Sequence, residues 1–445
     1  MIGDLPRDAR RARRAAGTLL LGLAIAASLA ACSGGDDKPA DKRKGSPAAR
    51  SRPAPKLRSF LGRLIPSPEG VLPGAHVSAQ IGRLVARLPL ERKVAQLLLV
   101  GFDGRDATAP FFATLREMDL GGVVIRRQNY VSAPQLAALT ATIANAAAGR
   151  LHQPPFVLAQ QEGGEFSAFG DLPPGPAAGE LASAADAAEE ARLAARTLKG
   201  LGLNGVLGPD IDVGISEGDL LGPRAFSDDP GDVSAYAEAT VSEYRRARML
   251  TAVQHFPGIG GAAQSPGDGP TQVGLTMREL ERRDLAPFRA AIRADTPAVL
   301  VGHASYAPDD FVVPASLSSA ITTDLLRGGL GFRGVAIADD LEAGAITAGH
   351  SVPQAAVQAV AAGADMVYVS GPRSDWLAAY RALLAAVRAK RIPLRRVDAA
   401  VTRVITGKRE LGLRNLSKPK PVPPVPVTGV PGATGVPGAP AAPPP

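Results

Sequence analysis

An α/β fold of the (β/α)8 class, a TIM-type barrel, is predicted by three features of this sequence. Eight short apolar runs recur along the chain, segments of helical period separate them, and every run ends in polar or Gly/Pro residues. Runs that are apolar throughout are strands buried on both faces, as in a parallel sheet covered by helices. They are VAQLLLVGF (94–102), GGVVIRR (121–127), FVLAQQ (156–161), GLNGVLGP (202–209), LTAVQHF (250–256), AVLVGH (298–303), GVAIADD (334–340) and MVYVS (366–370). Between them, stretches such as 132–148, 179–201, 233–248, 277–293 and 352–362 carry apolar residues three and four apart, the spacing of a helix with one buried face. Eight such units in this length is the arithmetic of a closed barrel. A doubly wound open sheet is the alternative, and no Gly-x-Gly-x-x-Gly follows an early strand to support it.

The 445 residues are 45% hydrophobic and 21% charged, which is ordinary globular composition. The formal net charge of +8 is concentrated near the start of the chain. Arg7, Arg10, Arg11, Arg13 and Arg14 precede an apolar run, and eight Lys and Arg residues lie between 38 and 58. The rest is close to neutral, so a nucleic-acid partner has little support. The basic segments fit orientation at a membrane, or contact with anionic lipid or wall polymer. Cys32 is the single cysteine, which excludes an intramolecular disulfide, and it directly follows the apolar run 17–31. A basic region, a short apolar region and small residues before a break mark a secretory signal, too short to span a membrane.

Leu29-Ala30-Ala31-Cys32 resembles a bacterial lipobox, which implies lipidation of Cys32 and a soluble domain tethered to the outer face of the cytoplasmic membrane or cell envelope. The expected organisation is a signal peptide over 1–31 and a lipidated, flexible basic linker over 32–78. One globular domain follows over 79–416, and then a Pro-rich, extended tail over 417–445.

In a barrel the active site lies where the strands end. Those ends carry Gln160, Gln161 and Glu162; Asp210 and Asp212; Gln254 and His255; His303; Asp339 and Asp340; and Ser370 with Arg373. Polar groups at the ends of successive strands converge on one mouth. No His/Asp/Glu spacing forms a convincing metal set, and no cofactor is expected. Ser370-Gly371-Pro372-Arg373 is a weak signal for phosphate at the last strand. Trp376, the sole tryptophan, is placed either to stack on a sugar face or to pack the following helix.

The same strand ends resemble glycoside hydrolase family 3, in its single-domain β-N-acetylhexosaminidase branch. The motifs are QEGG (161–164), GPDIDV (208–213), RAFSDDP (224–230), HFPG (255–258), DLAPFRAAI (284–292), PASLS (314–318) and LLRGGLGFRGVAIADDLEAGAI (325–346). Each is weak alone; seven in order, each at a predicted strand end or helix start, are specific. The resemblance implies a retaining, exo-acting β-glycosidase with a carbohydrate substrate. Its nucleophile would be Asp339, the first Asp of Ala-Asp-Asp-Leu. A carboxylate fixed at a strand tip is suited to attack an anomeric carbon; the competing role for Asp339 is a helix N-cap. Asp340 points to the other side of the strand. Arg224 and His255 match family residues that contact the sugar, and Gln160, Gln254 and His303 are further candidates for that contact. Asp210 and Asp212 are expected to brace the mouth.

The sequence also departs from the family pattern. Gln254-His255 stands where Lys-His is usual, Gln160 where an Asp is usual, and Glu165 and Ala168 where an Arg is usual. The family's general acid/base is a histidine in the loop after His-Phe-Pro-Gly. Of the five histidines here (His76, His152, His255, His303 and His350), none lies between 256 and 302. Any proton donor is expected from the barrel's own loops. Asp268, between two glycines in that loop, is the candidate acid/base, against the reading that Ser-Pro-Gly-Asp-Gly is only a turn. Two functions follow: a hydrolase with an altered acid, or a catalytically impaired homologue that binds glycan or a partner protein.

Overall fold

The computed structural model describes residues 79–148, 152–215 and 220–414. The expected signal peptide and linker, Cys32 and the expected tail lie outside the described residues.

Eight parallel strands close into a barrel in sequential order. They are β1 (Leu98–Val100), β2 (Gly122–Val124), β3 (Phe156–Gln160), β4 (Gly205–Asp210), β5 (Leu250–Phe256), β6 (Ala298–Val301), β7 (Val335–Asp340) and β8 (Met366–Val369). Seven of the predicted runs contain their strands whole, and the fourth, 202–209, stops one residue short of Asp210 at the end of β4. The first run is shortened, because Val94 and Ala95 close the helix Leu90–Ala95 before the strand begins. Helices α1 (Phe111–Glu117), α2 (Ala133–Ala148), α3 (Ala184–Gly200), α4 (Pro230–Arg246) and α5 (Leu285–Arg293) follow strands β1 to β5, and a π-helical segment, Ala320–Gly329, follows β6. Helices α6 (Val352–Ala362) and α7 (Arg373–Arg388) follow β7 and β8, and α8 (Leu394–Glu410) ends the domain. Among the described residues, no helix is long and apolar enough to cross a membrane.

Side chains alternate across a strand, and here both sets are apolar for different reasons. Leu99, Val124, Phe156, Leu158, Leu207, Leu250, Ala252, Ala298, Leu300, Val335, Ile337 and Met366 fill the barrel interior. Leu98, Val100, Val157 and Val367 face outward to the helices. Continuing the inward set by two residues beyond the packed layers reaches Gln160 on β3, Gln254 on β5 and Asp339 on β7. The register that packs the core therefore aims these three polar side chains at the mouth. The pairing of β7 with β8 is irregular between Ala338 and Asp340, so the alternation does not by itself set the direction of Asp340.

The sole tryptophan, Trp376, is 1% exposed and sits in the core under α7. It packs the helix and offers no face to a sugar.

Candidate active site

A cavity of about 800 Å³ opens at the C-terminal ends of the strands. Its floor is the top of the barrel core, with Val124, Leu207, Leu300 and Tyr368, and its wall includes Gln160, Arg224, Gln254, His255, His303, Asp339 and Asp340. The lining thus includes each residue expected to attack or contact the sugar, and omits Asp268.

Asp339 sits at the tip of β7. Its Oδ1 accepts the Asp340 backbone N–H at 2.7 Å, and its Oδ2 lies 4.0 Å from His255 Nε2. It caps no helix, since the next one begins at Gly344. His255 stands at the end of β5, where the peptides Gln254–His255 and Phe256–Pro257 are both cis. Its Nδ1 is 2.8 Å from Asp212 Oδ2, and Asp212 Oδ1 accepts the Ile259 backbone N–H at 2.9 Å. Burial and the Arg224 cation both oppose a charge on this ring. The hydrogen bond and charge of Asp212, with Asp210, outweigh them and push its pKa up to about 9. His255 is therefore an imidazolium at neutral pH, aimed at Asp339.

That shift has a thermodynamic consequence. The ring binds its proton more tightly folded than unfolded, so its contribution to stability is complete below pH 6.5 and is lost as pH rises to about 9. The linkage amounts to about 3 kcal/mol. Denaturant unfolding of the parent and of His255→Gln at pH 6 and pH 9.5 checks this. The parent should lose its advantage over the variant across that interval, and a constant difference would refute the assignment.

Behind the wall lies Glu162, a buried carboxylate just past the end of β3. Arg224 reaches it with two hydrogen bonds, Nε to Oε2 at 2.7 Å and Nη2 to Oε1 at 2.9 Å. Gln160 Nε2 and Gln254 Nε2 each donate to Glu162 Oε1 at 2.8 Å. Three of the predicted sugar contacts are thus tied to one buried carboxylate. Arg224 also pairs with Asp210 Oδ2 at 3.0 Å. Burial opposes the guanidinium's charge, but Glu162 and Asp210 hold its pKa above the ordinary value. Burial and Asp212 together push the Asp210 carboxyl up. Among the described residues, Asp210, Asp212 and His255 form a cluster with ligand atoms within 4.8 Å of one another. Arg224 already supplies a cation to it, which leaves little for a metal to neutralise.

His303 lines the cavity with both ring nitrogens engaged. Nε2 is 2.9 Å from the Asp340 carbonyl, which can only accept, so Nε2 carries the proton. Nδ1 then accepts from Ser316 Oγ at 2.8 Å. Burial pushes the ring's pKa down, in keeping with a neutral histidine. As placed, it holds the tip of β7 and makes no free offer to a sugar.

Asp268 is exposed and outside the lining, although Ser265, Pro266 and Gly267 of its loop form part of the wall. The loop is pinned to the chain after β7. Gly344 donates to the Gly267 carbonyl at 2.8 Å and Ala345 to the Pro266 carbonyl at 2.9 Å. A Cβ on Gly344 would fall 2.6 Å from the Asp268 carbonyl, so this close approach requires glycine. The loop thus walls the cavity through Ser265, Pro266 and Gly267 and leaves Asp268 exposed outside it.

Residues 89–406 match the model of the glycosyl hydrolase family 3 N terminal domain. The chain belongs to this family. It is 34% identical over 286 residues to the β-hexosaminidase of Stenotrophomonas maltophilia (strain K279a), an alignment that covers 62% of this chain and 84% of that one. In three dimensions it is similar to a family 3 β-N-acetylglucosaminidase from Paenibacillus sp. str. FPU-7, with 34% identity and a TM-score of 0.70. That similarity covers 73% of this chain and 63% of the Paenibacillus chain. It is also similar to the β-N-acetylhexosaminidase of Beutenbergia cavernae DSM 12333, with 28% identity, a TM-score of 0.66, and coverage of 73% and 99%.

Within this family 3 barrel, three charged lining residues escaped sequence reasoning. Arg126 and Arg127 come from the end of β2, and Glu342 from the loop after β7. Arg127 Nη2 donates to the carbonyls of Glu165 and Ser167, both at 2.8 Å, and so fixes the segment after β3. Glu342 directly follows Asp-Asp-Leu, but nothing in a loop's spacing says which way its side chain points.

Proposed function

We propose that this chain is a retaining, exo-acting β-glycoside hydrolase, acting on β-linked N-acetylhexosaminides or related cell-wall carbohydrate, with Asp339 as nucleophile. One observation carries the reading: a carboxylate on the inward register of β7, in the wall of a cavity, with a protonated histidine 4.0 Å from it. Asp339 attacks the anomeric carbon, the glycosidic bond breaks, and a glycosyl-enzyme ester forms that water then hydrolyses. His255 sets positive charge beside the attacking carboxylate, and the names of the family relatives support the substrate class.

The bond network explains why the neutral Gln160 and Gln254 are compatible with this site. Both amides serve Glu162, which Arg224 already neutralises, and a further charge in either place would unbalance it. The missing loop histidine is the observation that favours the second reading, a glycan-binding module without turnover. The same proposal places the domain outside the cytoplasmic membrane on a lipid anchor at Cys32, supported by the signal-like segment and by Leu29-Ala30-Ala31-Cys32.

The test uses the full chain in detergent and a 2,4-dinitrophenyl β-N-acetylglucosaminide, whose leaving group departs without protonation. The parent should turn it over, and Asp339→Ala should lower kcat/KM by more than roughly 10³-fold. Absence of turnover on this and other dinitrophenyl β-glycosides would reject the enzyme and leave the binding module.

A further inference from the structure

We propose that Glu342 is the general acid/base of this site, protonating the leaving oxygen and then deprotonating the attacking water. The inference rests on the reading of Asp339 as nucleophile. Asp339 Oδ forms a bond to the anomeric carbon as that carbon's bond to the leaving oxygen breaks. The leaving oxygen takes the electron pair and the Glu342 proton. In the second step the Glu342 carboxylate removes a proton from water, the water oxygen bonds to the anomeric carbon, and the ester bond to Asp339 breaks. No other reactant is needed.

The cavity's lining has four carboxylates: Glu165, Asp339, Asp340 and Glu342. Asp340 is committed to the backbone. Its Oδ1 accepts the Ser370 N–H at 3.0 Å and the Glu342 N–H at 3.3 Å. That pair of bonds fixes the start of the loop carrying Glu342 against the end of β8. Glu165 stands exposed at the rim. Glu342 lies three residues beyond the nucleophile, half-buried, and its Oε1 is buried with no hydrogen-bond partner.

The surroundings suit a group that must both give and take a proton. Asp340 faces Glu342 from its own element, Asp375 from the first turn of α7, Arg126 from the end of β2 and Tyr368 from β8. Burial comes first, with Asp340 and Asp375 adding to it against the opposing Arg126, and together they raise the Glu342 pKa to about 7. A carboxyl poised near neutral pH serves both steps. Gly371 makes room for it: a Cβ there would stand 1.9 and 2.1 Å from the two Glu342 oxygens. The backbone at Gly371 is not in the left-handed region, so alanine is tolerable there once the flexible carboxylate moves away.

The experiment compares kcat/KM on the dinitrophenyl glycoside with kcat/KM on an alkyl β-N-acetylglucosaminide, whose leaving group needs a proton. Glu342→Gln should lower the alkyl value by roughly 10²–10⁴-fold and leave the dinitrophenyl value within a few-fold. Its slowed second step should be rescued by azide, with release of the β-glycosyl azide. Gly371→Ala should reproduce the same split with the carboxylate present but displaced. In the parent, the alkyl rate should fall above about pH 7, and this limb should vanish in Glu342→Gln. Equal loss on both substrates, no loss on the alkyl substrate, or no azide product would overturn the assignment. Indifference of both substrates to Asp339→Ala would instead reject the parent reading, and this one with it.

Discussion

Replacing Asp365 by alanine is expected to lower the stability of the barrel by about 3–5 kcal/mol, the cost of breaking a buried ion pair from one side. Asp365 precedes β8 and is fully buried. Arg327 Nη2 reaches its Oδ2 at 2.6 Å, Arg396 Nη2 its Oδ1 at 3.0 Å, and Arg403 both oxygens through Nε and Nη2 at 2.9–3.0 Å. The Ala336 backbone N–H adds a bond at 3.1 Å. Burial opposes the charge, yet Arg403, Arg327 and Arg396 hold this carboxyl well below the usual range. One side chain thus ties the π-helical segment, α8 and the starts of β7 and β8. Alanine leaves three guanidinium groups, themselves largely buried, with no carboxylate between them. Urea unfolding measures the effect, and Asp365→Asn should fall between the parent and the alanine variant. A midpoint unchanged in Asp365→Ala would refute the account.

Arg224→Met should strike stability and catalysis together, and a second change should separate them. The guanidinium lies between Glu162 and Asp210, with side-chain exposures of 17%, 3% and 1%. Without it, two buried carboxylates face each other beside Asp212, again at about 3–5 kcal/mol. Adding Glu162→Gln removes one of those charges and should restore much of the lost stability. Activity on the dinitrophenyl glycoside should stay low in the double variant, by roughly 10- to 100-fold, if Arg224 also holds a sugar oxygen through a charged hydrogen bond. Recovery of both properties would make Arg224 a brace only. That outcome would leave the wall of the site to Gln160 and Gln254.

The fold was legible because barrel strands announce themselves: each must be apolar on both faces, and each must stop in polar or Gly/Pro residues. Asp339, Gln160 and Gln254 were legible for the same reason, since a period of two carries the inward set from the core to the mouth. The placement of Asp268 was not legible. Its position between glycines suggested a loop that closes over a sugar, but that loop's backbone pairs with residues 344 and 345 and its carboxylate faces water. His303 was read as a mouth residue and lines the cavity, yet its nitrogens serve Ser316 and Asp340, partners set by how the turn after β6 packs beside the tip of β7.

By itself the sequence determined the strand count, the helical crossovers, which strand ends bear polar groups, and the absence of a histidine from the loop after β5. These are properties of short windows, written in spacing and residue type. Only the tertiary structure decided that Gln160, Gln254 and Arg224 share Glu162, that a charged His255 faces Asp339, and that Glu342 rather than Asp268 lines the cavity. Most of these bring together strand ends and loops tens of residues apart. Their directions depend on how those loops fold back on one another, and on burial that raises or lowers a proton affinity once neighbouring charges are in place.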